Sequence, residues 1–101
     1  MGIVVVNPRL RRQVQAIWRE VAERKGERAA ERALNRLEDT FSMLRQHPGA
    51  GTIGTRRGKE LRRVLAGDYW VYYTQEAGGV RVRQVRHYKR DQARNWDATL
   101  E

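Results

Sequence analysis

The chain has no cysteine, only two histidines and two prolines, and no long apolar run. Without cysteine there is no disulfide, no thiolate nucleophile and no thiolate metal site, a composition that fits a reducing cytosol. His47 and His87 are the only imidazoles, so a metal site would rest on carboxylates, and no carboxylate cluster occurs. Neither metal nor cofactor is expected. The apolar start, "GIVVV", stops after Val6 with no small-residue cleavage site behind it, unlike a signal peptide. No segment reaches the roughly 20 apolar residues of a membrane span. These absences predict a cytoplasmic protein without a membrane partner. The length of 101 residues suits one domain, residues 1–101, with one modest core.

Acid is also scarce, and the net charge is +9. A field of that sign attracts nucleic acid, anionic membrane or an acidic protein. The first half interleaves its charges along helices, whereas the second gathers them into "GTRRGKELRR" (54–63) and "RVRQVRHYKR" (81–90). The second cluster holds five cations and no acid. Self-repulsion that dense usually has an anionic counterpart.

Ile3 to Val6 is a short continuous apolar run, as in a strand covered on both faces. Asn7-Pro8 then opens a helix, with Asn7 as N-cap and Pro8 at the first helical position. Leu10, Val14, Ile17, Trp18 and Val21 form one helical stripe, opposite Arg9, Arg12, Arg19 and Glu23. Gly26 stops this helix. A second helix, from about Glu27 to Gln46, buries Ala30, Ala33, Leu34, Leu37, Phe41 and Leu44; the short link makes an antiparallel hairpin. Pro48 ends it at His47.

"GAGTIG" (49–54) formally spells G-x-G-x-x-G. It follows a helix and leads toward a strand, the reverse of a dinucleotide loop, and is read as a flexible loop. Gly58-Lys59 fails as a phosphate loop, because its spacing from Gly54 is short and Glu60 stands where a hydroxyl residue belongs.

The remainder reads as a meander. Strands over Glu60–Ala66 and Tyr69–Gln75 flank Gly67-Asp68, a type II′ turn. A third strand, Val80 to about His87, follows "AGG" (77–79). In the middle strand Tyr69, Val71 and Tyr73 share one face and Trp70, Tyr72 and Thr74 the other. Neither face is polar, so helices should cover one and a partner the other. Val80 and Val82 share a face that Val85 does not, which requires either a bulge or a strand with two useful faces. Residues 91–101 form a tail or short helix anchored by Trp96. The expected fold is α+β, in the order β-α-α-β-β-β, with the helix hairpin on a small, mainly antiparallel twisted sheet.

This order, together with "AIW" (16–18), "KG" (25–26), "HPGAG" (47–51), "LRRVLAGDYWVYY" (61–73) and "VRVRQVRHYKRD" (80–91), resembles the RelE/ParE superfamily of bacterial type II toxin–antitoxin toxins. The resemblance spans Ile3 to Asp91 and is nearest to the ParE branch. It implies one of two activities. RelE-like members are ribosome-dependent mRNA endoribonucleases, which need proton-transfer groups and phosphate-binding cations. Here Trp70 stands where such relatives carry a basic residue, and Val64 stands where a second cation would help. Arg62, His87, Tyr88 and Lys89 are the remaining candidates for catalysis. ParE-like members lack that set and poison DNA gyrase by binding, so the similarity favours a gyrase inhibitor over an enzyme. On that reading Arg62, Arg63, Arg81, Arg83, Arg86, His87, Lys89 and Arg90 face the target.

The resemblance also implies a cognate antitoxin in a hetero-oligomer. Its contacting segment is expected to be acidic, with Leu10, Val14, Trp18, Trp70 and Tyr72 receiving its apolar anchors. A further alternative is a non-toxic basic domain that binds nucleic acid or protein. Plainer roles exist for each residue. His87 and His47 suit strand-end and helix-end positions, Arg62 and Arg63 suit edge protection on an outer strand, and the tyrosines suit packing.

Overall fold

The computed structural model describes residues 3–5, 8–91 and 96–98. Strand β1 (Ile3–Val5) leads into helices α1 (Pro8–Lys25) and α2 (Glu27–Gln46). Strands β2 (Thr52–Arg56), β3 (Lys59–Ala66), β4 (Tyr69–Glu76), β5 (Gly79–His87) and β6 (Asp97–Ala98) follow. The sheet order is β1-β5-β4-β3-β2-β6, antiparallel except where β1 joins β5. The N-cap expected at Asn7 lies outside the described residues.

A single residue, Gly26, separates the two helices. Its φ of +94° is a conformation that side chains rarely tolerate, and there its N–H closes α1 on the Ala22 carbonyl while its own carbonyl accepts from Ala30. Ala30 is fully buried, which lets the hairpin close tightly. The helices lie on one face of the sheet, with α1 on β5 and α2 across β1, β5 and β3. Leu10, Leu37 and Leu44 meet Tyr69, Val71 and Tyr73 of β4 and Val80, Val82 and Val85 of β5. Each buried leucine contributes about 1.5–3 kcal/mol.

Three expectations need correction. The segment read as a flexible loop contains β2, which pairs with β3 from Thr52↔Arg63 to Arg56↔Lys59. Its glycines permit close approach rather than motion: a Cβ on Gly51 would lie 2.8 Å from both the Arg63 carbonyl and the Tyr73 ring. The β2–β3 turn is Arg57-Gly58, both with positive φ (+52° and +78°), as a type I′ turn requires. Since β2 occupies the flank of β3, Arg62 and Arg63 sit on an interior strand, and edge protection is not their role. Beyond Trp96, Asp97–Ala98 is a strand paired with Gly54 and Thr55, not a helix.

The ambiguity in β5 resolves as a bulge. Tyr72 faces Gln84 while Tyr73 faces Val82, so Arg83 is the extra residue. The inserted residue restores phase, and Val80, Val82 and Val85 all reach the core. The far face of β4 is partly covered by the chain's own tail, not left wholly to a partner: Tyr72 is 0% exposed beneath Trp96.

One edge of β5 is closed by a side chain. β1 pairs only with Gly79–Arg81, and farther along Gln13 of α1 takes the place of a neighbouring strand. Its amide donates to the Val85 carbonyl (2.7 Å) and accepts from the Val85 N–H (3.2 Å). An amide side chain offers the same donor and acceptor as a peptide group.

Candidate functional site

Alternation along the paired strands sorts the candidate residues onto two faces. Arg63, Leu65, Trp70, Tyr72 and Arg86 lie on the outer face, away from the helices, with Arg81 joining them opposite Thr74. Arg62 and His87 take the helix-side face, opposite Tyr73 and Tyr69 respectively. The eight residues assigned to one target-binding surface therefore divide.

On the outer face a cationic and aromatic cluster joins the sheet to the tail. The Arg63 guanidinium lies 3.9 Å from the Trp70 ring centroid and 4.6 Å from that of Trp96. Both contacts lie within cation–π range. Beside it Arg56 forms a 2.6 Å ion pair with Asp91, whose other oxygen accepts from the Tyr72 hydroxyl. The two charged side chains are only 6% and 3% exposed. Burial, reinforced by the bond to Asp91, pushes the Tyr72 phenol above its ordinary range against the pull of Arg63 and Arg56. Arg81 and Arg83 both meet Oε2 of Glu76, at 2.9 and 3.4 Å. The bond from Arg81 chiefly lowers the Glu76 pKa, so that carboxyl stays ionised. Leu65 remains 49% exposed on this face.

Arg62 is committed to the backbone: Nη1 donates to the carbonyls of Gly51 (2.9 Å) and Gly49 (3.2 Å). Tyr73 fixes the same loop, donating its hydroxyl to the Pro48 carbonyl and accepting from the Gly51 N–H, each at 2.8 Å. These bonds give "HPGAG" a structural task.

At the other end of the helix-side face, His87 meets Tyr69 edge-on and stacks on Tyr88, each with centroids 5.2 Å apart. Its Nδ1 accepts from the Lys89 N–H at 3.1 Å. Arg90 is drawn to Glu20 of α1 by its two terminal nitrogens, Nη1 and Nη2, which lowers the Glu20 pKa. Tyr69 and Tyr73, opposite His87 and Arg62, are four residues apart on β4, or about 13 Å at ~3.3 Å per residue. Arg62 is thus not brought together with His87, Tyr88 and Lys89.

The residues assigned to the antitoxin also divide. Leu10 (2%) and Tyr72 (0%) are buried within the chain itself. Val14 and Trp18 line a groove of about 420 Å³ on the helix pair with Leu34, and Trp70 lies across the sheet from them. Sequence reasoning missed the Arg56–Asp91 pair and the Gln13 bridge. Neither has a local signal, because each joins residues 35 or 72 positions apart. Trp96, expected as an anchor, is 7% exposed and packs 5.6 Å from Tyr72.

Among the described residues no helix is long and apolar enough to cross a membrane, and no group of three or more metal-ligating side chains assembles. Comparison with curated proteins gives no match. Comparison with protein families gives the ParE toxin of the type II toxin–antitoxin system, parDE, matched over residues 4–92. That span takes in the hairpin, β2 through β5 and the Asp91 that locks the outer face. The chain belongs to the ParE toxin family, and is a toxin of a type II system with a cognate antitoxin as its partner.

Proposed function

We propose that this toxin arrests growth in the cytoplasm by binding and poisoning DNA gyrase, without breaking a bond itself. The observation that carries this reading is the chemistry of the outer face. It places Arg63 and Arg86 beside Trp70 and an exposed Leu65, and continues along the same face to Arg81 and Arg83 at Thr74 and Glu76. Glu76 is held by two arginines, Asp91 by Arg56 and Tyr72, and His87 faces the helices. RNA cleavage needs a proton acceptor, a proton donor and a cation at one phosphate. A cationic surface with an aromatic and aliphatic centre suits docking to a protein or its bound DNA.

The antitoxin segment is acidic in this proposal, matching the +9 charge. Its apolar anchors enter the Val14–Trp18–Leu34 groove. An isolated segment that bound through a neutral or basic face would contradict that assignment.

Controlled expression of the chain with parallel pulse labelling of DNA and protein synthesis tests the target. Gyrase poisoning gives DNA breaks and early loss of DNA synthesis while translation continues. Early loss of translation with cleaved messages would instead identify a ribosome-dependent nuclease. Arg83→Glu with Arg86→Glu should relieve toxicity, whereas His87→Ala should leave most of it in place.

A further inference from the structure

A second concentration of positive charge lies away from the outer face. A cleft of about 490 Å³ opens between the α1–α2 hairpin and the β3–β4 turn. Its cations come from three places: Arg24 and Lys25 from the end of α1, Arg32 and Arg36 from α2, Lys89 and Arg90 from the segment after β5. Six cations face two carboxylates, Glu20 and Asp68, a surplus of four. Glu20 is already engaged by Arg90 and Arg24. Lys25, Arg32, Arg36 and Lys89 form no ion pair among the described residues.

The space exists because its floor is small. Ala29, Ala33, Ala66 and Gly67 line it, and a larger side chain at Ala29 or Ala33 would take up part of it. Gly67, at φ +61°, turns the chain where a Cβ would come within 3.4 Å of the Arg36 stem. The charge placement is not explained by helix electrostatics alone. Arg24 and Lys25 do offset the negative end of α1. Arg32 and Arg36 sit inside α2 at i,i+4, where like charges weaken a helix.

We propose that this cleft binds the phosphates of a nucleotide-sized ligand. Small-molecule sites span roughly 300–1,000 Å³. An extended acidic peptide turns only alternate carboxylates inward. A di- or triphosphate concentrates its charge within a few ångströms, and four of the six cations are arginines, whose planar fork matches phosphate oxygens. Val21 and the Tyr69 ring supply an apolar wall for a base. The source is a free nucleotide or the phosphorylated end of a nucleic-acid strand. The inference is independent of which cellular process the toxin blocks.

Calorimetric titration of the purified chain separates these cases, with pyrophosphate, ATP, adenosine, a short single strand with and without a 5′-phosphate, and oligoglutamate as probes. Pyrophosphate and ATP should bind at one site, and adenosine far more weakly. Binding of ATP but not the strand identifies a free nucleotide; a strand that binds only when phosphorylated identifies a nucleic-acid end. Arg32→Glu with Arg36→Glu should weaken binding by about tenfold or more. Ala33→Leu should do the same with every charge retained. Arg11→Glu with Arg45→Glu removes equal charge elsewhere on the helices and should change it little. Circular dichroism confirms folding, and the charge pair remains a test if Ala33→Leu does not fold. Oligoglutamate binding as tightly as pyrophosphate would overturn the proposal. So would Ala33→Leu folding and binding like the parent, or the remote charge pair weakening binding as much as the cleft pair.

Discussion

Replacing Asp91 by Ala removes one carboxylate that satisfies two buried groups. Its Oδ1 is 2.6 Å from Arg56 Nη1 and its Oδ2 accepts the Tyr72 hydroxyl, at side-chain exposures of 3% and 6% for the acid and the arginine. With so little solvent access, the freed guanidinium has no water shell to return to. Breaking one partner of a buried pair costs about 3–5 kcal/mol. A domain of this size holds only about 5–15 kcal/mol in total. At about 4–8 °C per kcal/mol, the melting temperature should fall by at least about 12 °C. Urea unfolding of purified parent and variant, followed by far-ultraviolet circular dichroism, measures the difference. Arg56→Met with Asp91→Leu and Tyr72→Phe fills the same space without charge or an orphaned hydroxyl and should recover most of the loss, because buried pairs contribute little over apolar isosteres. If Asp91→Ala fell within about 1 kcal/mol of the parent, the outer-face lock would not be closed as described.

Gly51→Ala should destabilise by about 1–3 kcal/mol in the same assay, since the Arg63 carbonyl 2.8 Å from the new methyl is backbone and cannot rotate away. Gln13→Leu strips both hydrogen bonds from Val85. Its amide should exchange with deuterium markedly faster, and stability should drop by about 1–3 kcal/mol. Burial raises the pKa of Tyr69, Tyr72 and Tyr73. A phenol raised in the folded state gives stability that is complete below its unfolded value, about pH 10, and is lost as pH climbs through the folded value. Unfolding monitored with tyrosinate absorbance should therefore set in above about pH 10, and Tyr72→Phe should soften the dependence.

Much of the fold was legible because its elements carry local signals. The stripe from Leu10 to Val21 has helical spacing, and Gly26 and Gly67 mark turns that only particular backbones allow. β2 was missed because "TIGTR" is short and follows glycines that resemble a hinge; its identity depends on β3 lying alongside. The Arg57-Gly58 turn escaped because arginine is an unusual residue at positive φ. The candidate site was less legible than the fold. Arg62 and Arg63 are neighbours in sequence, yet pleating sends one to a glycine loop and the other between two indoles. Arg32 and Arg36 look like solvated helix charges until the β3–β4 turn places Gly67 and Asp68 across from them.

The Gln13 bridge ties helix mobility to strand recruitment. Any partner chain seeking the β5 edge at Val85 meets a donor and acceptor already matched, and would exchange two hydrogen bonds for two of the same kind. Such an exchange is nearly neutral in hydrogen-bond energy, so the toll falls on whatever α1 must give up to withdraw. Lifting that helix and exposing a sticky strand are consequently a single event, and a chain that keeps its hairpin seated is also protected from pairing with copies of itself.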